Sequence, residues 1–253
     1  MWIDAHAHLY DFSDSRLSAL IDTARDNGVD TIINTAVSLE TSSVILRQCE
    51  THNGMFGAVG ISPSECALLP REWEATIRDA LSHPSVIAVG ECGIDAVNRR
   101  YPPLTHQRPV FIRQLRLARD LNRPVVIHSR GAEHEAVELC VRNNVSRALF
   151  HCFTGSGDAA KAVIDAGYHI SLSGIVTFKN SPLRTLVDRI PLERLCIETD
   201  TPYLAPVPYR GRPNQPAWVA ITGKTLARLY GLSEKAFSEN IRRSVSTLFD
   251  IEL

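Results

Sequence analysis

His6 and His8 lie two residues apart in the segment Met1-Trp2-Ile3-Asp4-Ala5-His6-Ala7-His8-Leu9. On an extended strand successive side chains alternate faces, so the two imidazoles share one face. Asp4 shares it too, deeper along the strand, at about 6–7 Å per pair of residues. A half-buried strand ordinarily carries apolar side chains on its inward face. Burying an acid and two imidazoles there is costly unless something pairs with them, and a divalent metal is the commonest partner.

The same residue types recur at other points, each at the end of an apolar run. Gly90-Glu91-Cys92-Gly93-Ile94-Asp95 follows one run, Ile127-His128-Ser129-Arg130 another, His151-Cys152-Phe153-Thr154-Gly155 a third and Glu198-Thr199-Asp200 a fourth. Together with His6 and His8 they make a mixed nitrogen and oxygen ligand set suited to Zn²⁺, Mn²⁺, Co²⁺ or Fe²⁺, with Mg²⁺ less well matched as histidines accumulate. Six ligands exceed one tetrahedral zinc, so the expectation is two divalent ions (Zn, Mn, Mg or Co). His6, His8, Glu91 and Asp200 would hold one ion. Glu91 would bridge to a second ion held also by His128 and His151. Such a pair activates a water and grips the oxygens of a phosphate or carbonyl, with Asp200 placed to take the proton. Asp4 and Glu198 are expected to sit behind the ligands and orient them, and Asp95 is either a loop cap or a functional group. His52, His83, His106, His134 and His169 read as surface or packing residues. Cys92 and Cys152 point away from the mouth by parity.

The elements that must position these groups form one repeated unit. Short apolar runs at Trp2–Ala7, Thr31–Val37, Met55–Ile61, Val86–Gly90, Pro124–Ile127, Arg147–Phe150, Tyr168–Leu172 and Leu195–Ile197 read as buried parallel strands. Amphipathic stretches separate them: Arg16–Asn27, Ser42–His52, Arg71–Ser82, His106–Leu121, Gly131–Arg142, Asp158–Ala166 and Pro182–Ile190. Two further helices follow at Ala217–Tyr230 and Glu234–Phe249, the second with Ser233 as N-cap. This predicts an α/β fold, a (β/α)₈ TIM barrel in one domain over residues 1–253 with extra C-terminal helices. An open doubly wound sheet is the competing arrangement. In a barrel every strand end named above converges on one mouth.

The formal net charge of −1 gives no global basic field, which argues against coating of duplex DNA or an anionic membrane but not against a metal-assisted grip on one phosphate. Six cysteines occur without a C-x-x-C pair, which reads as reduced thiols. No signal peptide or transmembrane-length run is visible, and the expected compartment is the cytoplasm.

At these residues the chain resembles the TatD family of metal-dependent hydrolases, within the amidohydrolase-like barrels. The resemblance rests on Asp4-x-His6-x-His8, Gly90-Glu91-Cys92-Gly93-Ile94-Asp95 and the helix bearing Gln107, Phe111, Gln114 and Leu115. It continues through Pro124–Arg130, His151–Ser156, Thr177-Phe178-Lys179-Asn180, Glu198–Pro206 and Arg210-Gly211-x-x-Asn214. It implies a TIM barrel, a divalent-metal site and phosphodiester hydrolysis, typically deoxyribonuclease activity removing nucleotides from DNA ends. Some members are linked to aminoacyl-tRNA ester hydrolysis, so a deacylase or a hydrolase of a small cyclic substrate is the alternative.

Two positions depart from the family. Gly60-Ile61-Ser62-Pro63 carries Ser62 where a phosphate-holding histidine is usual, and Ala96 stands where an aromatic commonly follows the aspartate. Substrate contact is expected from Ser62, Arg130, Lys179 and Arg210. DNA ends or single strands would be gripped by cations and aromatics at the mouth: Arg99, Arg100 and Arg212 with Tyr101, Phe153, Phe178 and Tyr203.

Overall fold

The computed structural model describes residues 1–253. Its eight strands are β1 (Trp2–Ala7), β2 (Val29–Thr35), β3 (Met55–Val59), β4 (Val86–Asp95), β5 (Val125–Arg130), β6 (Ala148–Phe150), β7 (His169–Leu172) and β8 (Leu195–Ile197). All neighbours are parallel, in sequence order from β1 to β8. The sheet curls until its two edges meet. Ala7 bridges Thr201, the His6 carbonyl accepts from Asp200 N at 3.0 Å, and the Thr201 carbonyl accepts from His8 N at 2.8 Å. This is the near-closed parallel barrel expected, rather than the open doubly wound sheet.

The helices are α1 (Asp14–Asp26), α2 (Leu39–Thr51), α3 (Trp73–Ala80), α4 (Leu104–Asp120), α5 (Glu133–Arg142), α6 (Gly157–Asp165), α7 (Val219–Leu229) and α8 (Glu234–Phe249). Ser233 caps α8 by accepting from Ala236 N, as its position before the apolar repeat predicts. The two C-terminal helices cover β1 and β8, with Trp2 and Phe237 packed ring to ring at 6.4 Å. No helix is long and apolar enough to cross a membrane. All six cysteines are free and buried.

Two expectations are corrected. Pro182–Ile190 is not an α-helix but a pair of 3-10 turns, Pro182–Thr185 and Val187–Arg189. The apolar spacing correctly marks Leu183, Leu186, Val187 and Ile190 as buried. Pro191, however, forces Ile190 out of the helical region, to φ −108° and ψ 108°, leaving too short a stretch to propagate. Strand β4 does not stop at Gly90 but runs to Asp95, paired residue by residue with β5 from Cys92↔Ile127 to Asp95↔Arg130. Gly93 makes this possible. At its φ of 144° a Cβ would lie 1.9 Å from the His128 carbonyl oxygen, so only glycine lets the two strands run this close.

Helix α4 holds the strand ends in place. Gln107 and Gln114 are two turns apart on its inner face, and each uses its amide like a peptide unit. Gln114 accepts from Ile61 N at 2.8 Å and donates to the Ile61 carbonyl at 2.9 Å. Gln107 accepts from Asp95 N at 2.8 Å and donates to the Asp95 carbonyl at 3.1 Å. Each buried glutamine therefore fixes a residue just beyond a strand's hydrophobic body.

At the opposite end of the barrel, His169 opens β7 fully enclosed, with neither ring nitrogen hydrogen-bonded. Burial, aided by Arg194, pushes its imidazole down to about 4. A base depressed in the fold takes up a proton more readily when unfolded. Its contribution to stability is therefore present above pH 6.5 and lost as the pH falls towards 4, by up to about 3 kcal/mol. In urea titrations at several pH values, wild type should lose stability faster than His169→Leu across that window, with parallel curves above pH 7.

Candidate metal centre

The closed edge places β1 beside the segment after β8, and that contact assembles the first group of ligands. Asp4 is buried and does not touch the imidazole of His6. Its carboxylate instead accepts from Thr199 N at 2.8 Å and Thr199 Oγ1 at 2.6 Å. Thr199 in turn meets Thr201 Oγ1 at 2.7 Å. Burial raises the Asp4 carboxyl to about 7 against these opposing hydrogen bonds. Asp4 thus acts on the site through the backbone, by fixing the residue that precedes Asp200. Asp200 itself is held at φ 58°, a left-handed conformation uncommon for a non-glycine residue.

Four ligand atoms then converge. His6 Nε2 and His8 Nε2 are 3.2 Å apart. Glu91 Oε2 lies 3.6 Å from the first and 3.4 Å from the second, and Asp200 Oδ1 lies 3.8 and 3.5 Å from them. Ligands at ~2.0–2.1 Å around one tetrahedral ion are separated by edges of ~3.3 Å, so these atoms outline a cage of the right size. The Nδ1–H of His8 donates to the Thr35 carbonyl at 2.8 Å, leaving Nε2 free to ligate.

Across Glu91 a second group forms. His128 Nδ1 lies 3.1 Å from Glu91 Oε1, and His151 Nε2 lies 3.8 Å from Glu91 Oε2. The His151 ring stacks on His6 with centroids 3.9 Å apart. Each of these histidines has a carboxylate behind it. Asp95 Oδ2 accepts from His128 Nε2 at 2.9 Å, which turns Nδ1 towards Glu91. Glu198 Oε1 lies 3.5 Å from His151 Nδ1, while Ser171 Oγ donates to Glu198 Oε2. Glu198 thus lies behind His151. Asp95 lies behind His128, and it also caps its loop by accepting from Val97 N and Asn98 N.

The residues present fit a bound cation. His151 Nε2, which faces Glu91, is buried with no hydrogen-bond partner, an arrangement that is costly without a ligand. The sets His6–His8–Glu91, Glu91–His128–His151 and His6–His151–Asp200 each bring their ligand atoms within 4.8 Å of one another. Electrostatics point the same way. Burial alone would raise Glu91, but His151, His128, His6 and His8 outweigh it and hold the carboxylate well below its usual range. Burial would lower His8, but Asp200 and Glu91 raise it well above its usual value. Burial and the neighbouring His6 drive His151 well down, leaving it a neutral imidazole with one free lone pair. Burial and Asp200 push Glu198 well up.

These groups floor a cavity of about 510 Å³ walled by Tyr10, Ser62, Ser64, Glu65, Tyr101, Arg130 and Tyr203. Of the expected substrate contacts, Ser62 and Arg130 line it. Lys179 and Arg210 do not: both are exposed outside it, with the Arg210 guanidinium stacked 4.4 Å over Phe178. Arg99, Arg100 and Arg212 are likewise exposed outside the cavity, and Phe153 is buried and cannot stack on a base. Tyr10, Ser64 and Glu65 were not expected. They sit on irregular segments whose direction no periodicity reports.

Removing the carboxylate behind a ligating histidine typically costs 10- to 100-fold in metal affinity. Asp95→Ala should therefore weaken the Glu91–His128–His151 group by about that factor in a chelator competition. Asp4→Ala orphans Thr199 N and should cost about 2–4 kcal/mol of metal-free stability in urea unfolding.

Comparison with known proteins agrees with this geometry. The family model described as TatD related DNase matches residues 3–250. The uncharacterized metal-dependent hydrolase YabD of Bacillus subtilis is 31% identical over 255 residues, covering 99% of this chain and 100% of that protein. The 3'-5' ssDNA/RNA exonuclease TatD of Escherichia coli K12 is 31% identical over 240 residues, covering 90% of each. Among solved structures, the TatD homologue YJJV of E. coli K12 superposes with a TM-score of 0.93 at 27% identity, covering 99% of this chain and 98% of that one. The chain belongs to the TatD-related DNase family and is a metal-dependent hydrolase.

Proposed function

We propose that the chain, as a single barrel domain over residues 1–253, hydrolyses phosphodiester bonds at the 3′ ends of DNA using two divalent ions. His6, His8, Glu91 and Asp200 would hold one, and Glu91, His128 and His151 the other. The observation that carries this reading is the position of Glu91, whose Oε2 faces His6 and His8 while its Oε1 faces His128. A carboxylate with imidazoles on both sides is suited to bridging. When bound, the ions would supply the positive charge that makes a water acidic near neutral pH and offsets charge on the phosphate oxygens.

The chain's own residues do the rest. Asp200, on a strained turn beside His8, is the carboxylate placed to accept the proton of the attacking water. Glu91 stays ionised because four imidazoles surround it. Arg130 is the cation on the cavity wall and is positioned to meet a phosphate oxygen. Tyr203 is exposed and Tyr101 also lines the cavity, offering faces for an unpaired base. A cavity of about 510 Å³ takes a terminal nucleotide rather than a length of duplex. With a net charge of −1, any DNA contact must be local. The polarity is supported by the exonuclease of E. coli to which the chain is 31% identical.

Chelated protein should release about two equivalents of divalent metal by elemental analysis and lose cleavage of end-labelled oligonucleotides. Readdition of Zn²⁺, Mn²⁺, Co²⁺ or Mg²⁺ separately identifies the working ion. Glu91→Ala and Asp200→Ala should each lower kcat/KM about 10³-fold or more, the several kcal/mol that metal-assisted charge stabilisation is worth. Intact single-stranded and duplex DNA after incubation with metal-loaded protein, alongside turnover of an aminoacyl ester, would transfer the reading to ester hydrolysis.

A further inference from the structure

The segment after β3 builds one wall of the cavity, and its hydrogens can be counted. Gly60 packs against Gly90 so closely that a Cβ on it would lie 2.8 Å from the Gly90 Cα, which places this wall next to Glu91. Gln114 clamps Ile61, and Ser62 N donates to the Val37 carbonyl at 2.8 Å, so the start of this wall is held in place. Ser62 Oγ lies 2.7 Å from Ser64 Oγ, and Ser64 Oγ donates to Glu65 Oε1 at 3.1 Å. A hydroxyl has one hydrogen. Since that of Ser64 is used on Glu65, the bond between the serines must be donated by Ser62. Both protons therefore run towards the Glu65 carboxylate, and the side chains of this wall offer the cavity only lone pairs and a negative charge. Glu65 lines the cavity and takes part in no ion pair within 4.0 Å that would offset that charge.

We propose that Ser62, Ser64 and Glu65 form an acceptor wall that receives the free hydroxyl of the nucleic-acid terminus and repels a phosphate in its place. This rests on the phosphodiesterase reading above and specifies its substrate: ends carrying a 3′-hydroxyl, not a 3′-phosphate. The scissile phosphate lies over the Glu91 ligand groups with Arg130, while the terminal sugar turns its hydroxyl to the wall. A hydroxyl donates one hydrogen bond into the chain of lone pairs. A terminal phosphate is mostly the dianion at neutral pH, with little hydrogen to offer there, and meets a carboxylate instead. Ser62 is thus a terminus reader rather than a phosphate donor, because its proton is already engaged.

The test uses metal-loaded full-length protein and two 5′-labelled oligodeoxynucleotides identical except for a 3′-hydroxyl or a 3′-phosphate. Wild type should favour the hydroxyl end about fivefold or more in kcat/KM, the scale of one screened like-charge contact. Glu65→Gln removes the charge and Ser64→Ala releases the Ser62 proton, so both should shrink the ratio towards one. Equal use of the two ends by wild type, or a ratio unmoved in both variants, overturns the proposal. If neither oligonucleotide is cut, the phosphodiesterase reading fails while the wall is still tested by calorimetric titration with inorganic phosphate. Tighter phosphate binding by Glu65→Gln, about fivefold, then supports the acceptor wall, and unchanged binding overturns it.

Discussion

The site depends on the seam where the barrel closes. A parallel sheet of eight strands leaves two edges of unpaired peptide groups. Here they meet through only a few bonds: Asp200 N to the His6 carbonyl, His8 N to the Thr201 carbonyl, and the Asp4 carboxylate across to Thr199. Those bonds alternate along the chain with the ligands, so closing the barrel and bringing Asp200 to His6 and His8 are one event. Asp4 is costly to bury, as its raised carboxyl indicates, and the two hydrogen bonds that fix Thr199 offset part of that cost. A ligand set spanning residues 6 to 200 is therefore positioned by backbone pairing rather than by side-chain adjustment.

Around that seam the charges are arranged for a cation. Glu91 sits among four imidazoles, and Asp95 and Glu198 stand behind two of them. Carboxylates on the far side of His128 and His151 fix which ring nitrogen faces inward and strengthen its lone pair. His8 has a backbone carbonyl in the same role. The inward Nε2 of His151 is buried without a hydrogen bond beside Glu91, as a nitrogen suited to a cation would be. Helix α4 extends the same rigidity to the walls, since its two glutamines fix Asp95 behind one histidine and Ile61 beside Ser62.

Much of this is legible in the chain, for reasons that differ by element. Alternating short apolar runs and amphipathic stretches encode the eight strands because a barrel strand is buried on both faces and a covering helix on one. Histidines and acids at the ends of those runs mark the candidate ligands because burying such groups is costly unless something pairs with them. Pro182–Ile190 was misjudged because its spacing reports burial, not winding, and Pro191 decides the winding. The end of β4 lies beyond the apolar run Val86–Gly90 because that run reports only the strand's buried apolar body, whereas pairing with β5 continues through Glu91 to Asp95, where Gly93 lets the two strands run close.

The sequence by itself determined the periodicity, the ligand types and their order along the chain, since these follow from local alternation and side-chain chemistry. Only the tertiary structure decided which carboxylate stands behind which histidine, because Asp4, Asp95 and Glu198 are alike as residues and differ only in what the closed barrel puts opposite them. The substrate wall was likewise undecided until the fold was known. Ser62 can donate a hydrogen bond in isolation, and whether it does is set by its contact with Ser64, which in turn meets Glu65. The direction of a hydrogen bond belongs to the whole network, and a network exists only once the chain has folded.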